Sequence, residues 1–562
     1  MDSTTLCPNC DNTVKIHPAQ CKWLHTNATD LSQKIHDRPL EFIASVYSYS
    51  PIPPLLHTRI QMPHQDMLAA IDLGSNSFRL ELGRMEHGQL VRTDYLKETV
   101  RQGGDLDVHR NLTPEAMERG WECLARFRER LHGLPARQVR AVATQTLREA
   151  RNREVFLNRA QQVLGYPIEI ISGTEEARLI SIGVSQFLPN DGERRLVIDV
   201  GGRSTEMILG QNREPTTMNS YRVGSVSWSQ KYFPQGQFTE QTFNQAKVAA
   251  QAVLEEALVM YPRDLWDKAY GASGTVGAVA DVLQFAGWTP GQITRDGLAW
   301  LIQCVQAAQH FSRLRLEGLK EDRRAVIGGG LAVLSALFEQ FDIEALHVAQ
   351  GALRHGAMHG LIERDHGEMD VRDASVHRLA QKFGVDREQA KRVGDVALQL
   401  LAMMNPADNL APHRIQRKLA WASELHEIGL SISHSDHHKH GAYILDNADV
   451  MGFSQPELHR LSLLVLGHHG KLRKLDMDFE DLMVVQQLLA LRLSVILCHS
   501  RRQPDMTGLE LHCDPAQKLF EWQCPSDWAQ RFPQSNHLIQ QEIVAWQKTP
   551  WTLRLRQPMS DK

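Results

Sequence analysis

The 562-residue sequence has few cysteines and no long apolar run. Eight cysteines spread over a chain of this length do not make the dense framework of a small disulfide-bonded secreted domain, so we expect a reducing, cytoplasmic setting. No apolar run reaches the roughly 18 residues that a membrane-spanning helix needs, and no basic start precedes an apolar core. The sequence therefore predicts neither a transmembrane segment nor a signal peptide.

An excess of charge of either sign is also missing. The formal net charge is −4 at pH 7, with 62 Lys and Arg against 66 Asp and Glu residues. Binding of a polyanion through overall charge is excluded, so any basic site has to be local, and we predict no nucleic-acid partner. With 42% hydrophobic and 23% charged residues, the composition is that of a globular protein of about three or four domains.

Changes of pattern along the chain indicate its domains. Short β-rich runs alternate with amphipathic stretches from residue 67 to about 364, which favours an α/β architecture, and helical patterns replace them after about residue 371. A short tail combines strand-like runs with several tryptophans. The predicted segments are an irregular extension (1–66), two α/β lobes (67–185 and 186–365), a helical domain (372–505) and a small α+β domain (506–562).

The N-terminal extension has two interpretations. Cys7, Cys10, His17, Cys21 and His25 have the residue types of a small zinc knuckle, because a Cys-x-x-Cys pair suits a tetrahedral metal. The interpretation we favour is a disordered tail, or a leader upstream of a true start near residue 62 or 67.

One short motif occurs twice, 127 residues apart. "LAAIDLGSNSFRLELG" begins at Leu68 and "RLVIDVGGRSTEMILG" at Arg195. Each copy is an apolar strand ending in Asp, a tight turn rich in Gly and Ser, and a second apolar strand. The identities are Ile71/Ile198, Asp72/Asp199, Gly74/Gly201, Ser77/Ser204, Leu82/Leu209 and Gly83/Gly210.

Such a turn has the chemistry of a phosphate cradle. Glycine lets successive backbone N–H groups point to one side of the turn, where they bind an anion. The neighbouring aspartate repels phosphate unless a cation such as Mg²⁺ (or Mn²⁺) lies between them. Two copies facing each other across a cleft would hold a phosphate chain from both sides.

Five motifs in order carry a resemblance to a known family. They are "AAIDLGSNSFRLELG", "AVATQTLREARN", "IEIISGTEEARLI", "LVIDVGGRSTE" and "YGASGTVGAV". Together they resemble the exopolyphosphatase / guanosine pentaphosphate phosphohydrolase family over residues 67–562. The resemblance implies two actin-like, ribonuclease H-like lobes around a cleft, an all-α domain like the HD phosphohydrolases, a small C-terminal α+β domain and a homodimer.

The same resemblance implies roles for individual residues. Glu176 is the expected catalytic carboxylate, which would orient or deprotonate the attacking water, whereas Glu175 would only cap its helix. The expected metal ligands are Asp72, Asp199 and Glu206. The expected phosphate ligands are Gly74, Ser75, Asn76, Ser77, Arg148, Gly201, Gly202, Arg203, Ser204, Thr205, Gly274 and Thr275.

Two positions depart from the family pattern. Arg203 stands in the second turn where the family prefers a small residue, and we predict that it swings out to bind phosphate, the alternative being a bond to an acid such as Glu206. The late "GALR" motif is preceded by Gln350, and His355 replaces the usual Glu.

The helical domain contains part of a metal-site pattern. His426 and Glu427, His440, and the pair His468–His469 are placed as in the HD phosphohydrolases. Glu replaces the usual Asp, and the last expected Asp is absent where 491–493 read Leu-Arg-Leu, so a complete metal site is not predicted. The basic runs "HSDHHKH", "HHGKLRK" and "SRR" either line a channel for a long polyanion or form solvated surface.

We therefore predict an Mg²⁺-dependent exopolyphosphatase that releases orthophosphate from inorganic polyphosphate. The alternative within the family is hydrolysis of guanosine pentaphosphate (pppGpp) to tetraphosphate (ppGpp). More distant alternatives are an actin-like ATP-dependent kinase, for which we find no acceptor pocket, and a non-enzymatic sensor of nucleotide or polyphosphate.

Overall fold

The computed structural model describes residues 67–86, 89–366, 371–405, 413–448 and 450–556. The predicted N-terminal extension, with its Cys and His residues, lies outside the described residues. No helix in the described part of the chain is long and apolar enough to cross a membrane.

The first lobe is a mixed sheet covered by helices. Its elements are β1 Met67–Leu73, β2 Phe78–Glu86, β3 Gln89–Glu98, α1 Pro114–Arg130, β4 Val139–Ala143, α2 Gln145–Glu149, α3 Arg153–Leu164, β5 Ile168–Ile170 and α4 Gly173–Ser185. Strands β1 to β3 form an antiparallel meander, and β4 and β5 extend the sheet parallel to β1, giving the order β3-β2-β1-β4-β5. Ala69, Ala70 and Ile71 are fully buried, as expected for a strand covered on both faces.

The second lobe repeats this topology. Its elements are β6 Arg194–Val200, β7 Thr205–Gln211, β8 Glu214–Tyr221, α5 Ser225–Tyr232, α6 Glu240–Leu254, α7 Ala257–Met260, β9 Lys268–Gly271, α8 Gly274–Phe285, β10 Gln292–Thr294, α9 Arg295–Ala308, α10 Glu321–Arg324, α11 Ile327–Gln340 and β11 Ala345–Val348. Strands β6 to β8 form the meander, β9 and β11 continue parallel to β6, and β10 closes the edge, in the order β8-β7-β6-β9-β11-β10. The predicted pair of similar actin-like lobes is therefore confirmed.

Helix α12, Leu353–His366, returns from the second lobe to the first. Ala357 and Met358 pack on Leu68 of β1. The helix lies very close to α4, because a Cβ on Gly356 would fall 1.9 Å from the carbonyl oxygen of Leu179. Although its residues fall within the predicted second lobe, this helix completes the core of the first lobe and brings the "GALR" motif to the cleft.

The remainder of the chain is helical with a small sheet. Its elements are α13 Val371–Lys382, α14 Arg387–Met404, α15 His413–Leu425, α16 His437–Asn447, α17 Gln455–Gly467, α18 Leu482–Leu497, β12 Glu510–Asp514, β13 Leu519–Gln523, α19 Trp528–Arg531, α20 Pro533–Trp546 and β14 Thr552–Leu555. Trp522 and Trp546 are fully buried in the same core as Leu400 and Leu488. The tryptophan-rich tail predicted as a separate small domain thus shares one core with the helical domain.

Candidate active site between the lobes

The two repeated turns, residues 74–77 and 201–204, face each other. A Cβ on Gly202 would lie 2.8 Å from the Cβ of Ser75, so only glycine allows this approach. The turns also share their internal geometry: a Cβ on Gly74 or on Gly201 would lie 3.0 or 2.9 Å from the carbonyl oxygen three residues later. The repeated hairpins therefore form opposite walls of one cleft.

Most of the predicted site residues line this cleft. They are Asp72, Gly74, Ser75, Asn76, Ser77, Glu176, Asp199, Gly201, Gly202, Ser204, Gly274 and Thr275. They come from both hairpins, from the start of α4 and from the start of α8, where the Ser273 hydroxyl caps the helix by accepting from the N–H groups of Thr275 and Val276.

Glu176 projects into the cleft from the first turn of α4. Ser172 caps this helix by accepting a hydrogen bond from the Glu175 N–H, and Arg148 Nη1 donates to Glu176 Oε2 at 2.8 Å. Burial raises the pKa of Glu176, and the charge of Asp72 adds to this effect against the opposing effect of Arg148. A carboxylate with a raised pKa, held by one arginine at the edge of a polar cleft, suits a general base.

The second hairpin contains a pair of facing acids. Asp199 on β6 lies directly opposite Glu206 on β7, and Glu206 Oε1 accepts a hydrogen bond of 2.7 Å from the Ser220 hydroxyl. Burial and the charge of Glu176 raise the pKa of both acids well above the ordinary range. Two buried acids side by side favour either a proton or a cation between them.

The donor set of the cleft fits Mg²⁺. Among the described residues, no three His, Cys, Asp or Glu side chains are close enough to hold a metal without other ligands. Mg²⁺ is usually bound by one or two carboxylates completed by water and substrate phosphates. Asp199 faces the cleft with Glu206 behind it, and a phosphate chain in the cleft would supply the remaining oxygens.

The first hairpin carries an arginine at the position equivalent to Glu206. Arg79 lies opposite Asp72 in the β1–β2 register, and its Nη1 is 3.4 Å from Asp72 Oδ2. Arg323 lies beside Arg79 at the start of α8, since a Cβ on Gly274 would contact both guanidinium groups. Burial and the charge of Arg79 lower the pKa of Arg323. Two close guanidinium groups at a helix start, that of Arg323 buried and that of Arg79 partly exposed, suit an anion.

These arginines were missed by the sequence interpretation. Arg79 had a detectable signal, because it aligns with Glu206 when the repeat is laid out at its spacing of 127 residues. Arg323 lies in the short helix α10, just before the glycine-rich start of α11. Its place in the cleft depends on a tertiary contact without a local pattern.

The unusual "GALR" motif is explained by a buried acid. Arg354 Nε donates to Glu81 Oε2 at 3.0 Å, and His355 Nε2 lies 3.0 Å from Glu81 Oε1. Burial raises the pKa of Glu81, but the hydrogen bonds and charges of His355 and Arg354 outweigh this effect and hold the pKa at about 2. His355, which replaces the usual Glu, thus anchors α12 to β2, and Arg354 reaches the cleft beside Tyr95.

Four predicted residues do not line the cleft. Arg148 lies behind Glu176, and the Thr205 hydroxyl donates to the Val223 carbonyl at 2.6 Å. Glu206 lies behind Asp199. The guanidinium of Arg203 bonds Glu149 of the first lobe and not Glu206. A phosphate contact by Arg148, Arg203 or Thr205 stays a prediction, because in this structure all three side chains are bonded to other protein groups.

Five histidines of the helical domain come together in one cluster, His426, His437, His438, His468 and His469. The Nε2 atoms of His437 and His468 are 3.3 Å apart. Burial and mutual proximity lower the pKa of His438, to about 4, and of His426, His468 and His469. Burial in the cluster therefore favours the neutral form of these four histidines.

The arginines near this cluster are engaged within the domain. Arg492, at the position where the expected Asp is absent, pairs with Glu542 and donates to the Gly467 carbonyl. Arg501 pairs with Glu427 at 2.7 Å. The polyanion channel through this domain stays a prediction, and these two arginines are not free to line it.

Comparisons with known proteins agree with this architecture. Residues 85–365 match the model of the Ppx/GppA phosphatase family, and residues 371–545 match Ppx/GppA phosphatase domain III.

Relatives match over most of the chain. A protein of Aeromonas hydrophila subsp. hydrophila called guanosine-5'-triphosphate,3'-diphosphate pyrophosphatase is 36% identical over 498 residues, covering 88% of this chain and 99% of that protein. A protein of the same name from Pseudoalteromonas translucida is 36% identical over 494 residues, covering 87% and 98%. A solved structure of an exopolyphosphatase from Cytophaga hutchinsonii is 23% identical with a TM-score of 0.47, covering 53% of this chain and 98% of that one.

Proposed function

The chain belongs to the Ppx/GppA phosphatase family, and on that premise we propose that it removes the terminal 5′ phosphate of pppGpp, giving ppGpp and orthophosphate. The observation that carries the hydrolytic part is the buried carboxylate of Glu176 between two phosphate-type turns. The nucleotide part is supported by relatives named for this compound, 36% identical over 88% of the chain. The proposal thus prefers the alternative substrate of the sequence interpretation to inorganic polyphosphate.

The cleft supports a simple course for the reaction. Glu176 takes a proton from a water molecule, the water oxygen bonds to the terminal phosphorus, and the bond from that phosphorus to the bridging oxygen breaks. The turn N–H groups with Arg79 and Arg323 stabilise the negative charge on the phosphate oxygens. Mg²⁺ held by Asp199 and Glu206 would neutralise phosphate charge when bound.

Inorganic polyphosphate is the second candidate substrate, and one observation favours it. Apart from Tyr95, the described lining of the cleft offers no aromatic ring for stacking a base, whereas phosphate donors line both walls. Tyr95 itself lies under Arg354, whose guanidinium carbon is 5.2 Å from the ring centroid.

Phosphate release measured in parallel on pppGpp, long polyphosphate and ATP, with Mg²⁺ and with EDTA, tests the proposal. We expect the highest kcat/KM with pppGpp and Mg²⁺, and no phosphate release with EDTA. A higher kcat/KM on polyphosphate would move the assignment to the second candidate. Binding of pppGpp without phosphate release would indicate a sensor. A homodimer and a cytoplasmic location remain predictions from the sequence.

A further inference from the structure

Arg203 stands in the turn of the second hairpin, but its side chain bonds the first lobe. Its Nε and Nη2 donate to Glu149 Oε2 at 3.1 and 2.7 Å. Its Nη1 donates to the Gly103 carbonyl at 2.8 Å. The Arg203 and Glu149 side chains are only 16% and 13% exposed, so this is a mostly buried ion pair between the lobes, in which two guanidinium N–H groups share one carboxylate oxygen.

A continuous set of hydrogen bonds runs from this ion pair to the expected base. Glu149 Oε1 accepts from Gln145 Nε2 at 2.6 Å. Gln145 Oε1 accepts from Arg148 Nε and Nη2 at 2.9 and 2.7 Å. Arg148 Nη1 then donates to Glu176 Oε2 at 2.8 Å. Four hydrogen-bonded steps, the ion pair included, therefore link the second turn to Glu176.

The direction of each bond in this set is fixed by chemistry. An ionised Glu149 can only accept, so the Gln145 amide must turn its NH₂ group toward Glu149 and its oxygen toward Arg148. That oxygen receives two donors of Arg148, and the remaining Nη1 also donates to the Ile171 carbonyl. The guanidinium of Arg148 is thereby held in one plane. Gln145 bonds both Glu149 and Arg148, so a change at Glu149 reaches Arg148 through the amide of Gln145.

Loss of the Arg203 side chain would disturb the whole set. Burial raises the pKa of Glu149, and the Gln145 hydrogen bond and the charge of Arg203 outweigh this and keep it low. Without Arg203, Glu149 would either take up a proton or attract Arg148. A protonated Glu149 no longer fixes the Gln145 amide, and an Arg148 drawn to Glu149 leaves Glu176.

We propose that Arg203 is a positioning residue: it joins the second turn to the first lobe and, through Glu149, Gln145 and Arg148, sets the orientation of Glu176. This inference rests on the proposed function only in that Glu176 is the base. It replaces phosphate binding as the expected role of the Arg203 side chain. A positioning role lowers kcat, whereas direct phosphate binding raises KM.

The test is the kinetics of phosphate release by full-length Arg203→Ala. We expect kcat to fall roughly tenfold, the scale of coupling within one hydrogen-bond network, with KM changed less than about threefold. The control is Arg194→Ala, since Arg194 also pairs with a carboxylate, that of Asp267, through Nε and Nη2 and donates to the Asp264 carbonyl through Nη1, although in a more exposed position. It lies at the opposite end of β6, and we expect wild-type kinetics.

Two further variants separate positioning from a general loss of packing. Arg203→Lys keeps the charge but loses the planar set of donors that bonds both Glu149 and the Gly103 carbonyl, and we expect kcat between those of wild type and Arg203→Ala. Glu149→Gln should lower kcat to a similar extent, and the double variant Arg203→Ala/Glu149→Gln should be no slower than the slower single variant. Additive losses, or a raised KM with unchanged kcat, would overturn the proposal.

The choice of substrate keeps this test independent of the proposed function. If wild type hydrolyses polyphosphate and not pppGpp, the proposed function fails, and the same variants are then compared on polyphosphate. If wild type hydrolyses pppGpp and Arg203→Ala changes only KM, the proposed function stands and the positioning role fails.

Discussion

The two hairpins that face each other across the cleft have the same strand pairing and differ in charge at one position. In the first, Asp72 lies opposite Arg79, and in the second Asp199 lies opposite Glu206, at the same place in the strand register. The first pair is an ion pair at 3.4 Å, whereas both acids of the second pair have a raised pKa.

This difference at one position gives the two copies of a repeated element different electrostatic properties. A hairpin with an Asp–Arg pair is internally neutralised and adds a guanidinium for phosphate. A hairpin with an Asp–Glu pair has an excess of buried negative charge, which a cation relieves. A phosphate chain between them would meet arginine on one wall and the acid pair of the proposed metal site on the other.

The largest expected effect is at Glu176, which lies between the two hairpins. Glu176→Gln keeps the shape and removes the base, so kcat on pppGpp should fall by about 10²–10⁴ while KM stays nearly unchanged. Steady-state phosphate release measures both values. Wild-type turnover in this variant would remove Glu176 from the mechanism.

The adjacent Glu175 gives a contrasting variant. It is fully buried, pairs with Arg140 and Arg178, and accepts the Gly452 N–H at 2.7 Å, which is more than the helix capping expected from the sequence. Glu175→Gln breaks a buried pair, so we expect a stability loss of about 3–5 kcal/mol with kcat per folded molecule close to wild type. Thermal unfolding and active-site titration check this.

The second hairpin should govern the metal requirement. Asp199→Asn and Glu206→Gln remove negative charge from the proposed metal site, so the Mg²⁺ concentration for half-maximal activity should rise roughly 10–100-fold. Mg²⁺ binding measured by calorimetry gives a readout independent of activity. Unchanged Mg²⁺ affinity in both variants would place the metal elsewhere.

The first hairpin should govern substrate affinity. Arg79→Ala removes one charged hydrogen-bond donor, worth about 1.5–3 kcal/mol, so KM for pppGpp should rise at least about tenfold with little change in Mg²⁺ affinity. A rise in the Mg²⁺ requirement as large as that of Glu206→Gln would erase the distinction between the hairpins.

The smallest expected effect is on stability without metal. Because Asp199 and Glu206 have raised pKa values, the folded chain binds more protons than the unfolded chain, and stability increases as the pH falls from neutral toward the ordinary carboxylate range. Glu206→Gln removes part of this dependence and should raise the Tm at pH 7 by on the order of a few °C. If the Tm of wild type and of Glu206→Gln depended equally on pH in EDTA, the raised pKa of Glu206 would not contribute to the pH dependence of stability.

The sequence predicted the hairpins and the lobes, because these depend on short local patterns, whereas the catalytic role of Glu176 came from the family resemblance and stays a prediction. A strand ending in Asp before a Gly/Ser turn is visible twice along the chain, and residues 74–77 and 201–204 indeed meet. The role of Arg203 could not be predicted, since its partner Glu149 belongs to another lobe. The return of α12 to the first lobe likewise depends on helix packing at Gly356, which has no local pattern.

Hydrolysis of pppGpp in ¹⁸O-labelled water tests the central claim most directly. If Glu176 activates a water molecule against the terminal phosphorus held between the two hairpins, one ¹⁸O atom enters the released orthophosphate and none enters ppGpp. Label in the nucleotide product, or release of pyrophosphate in place of orthophosphate, would contradict the account.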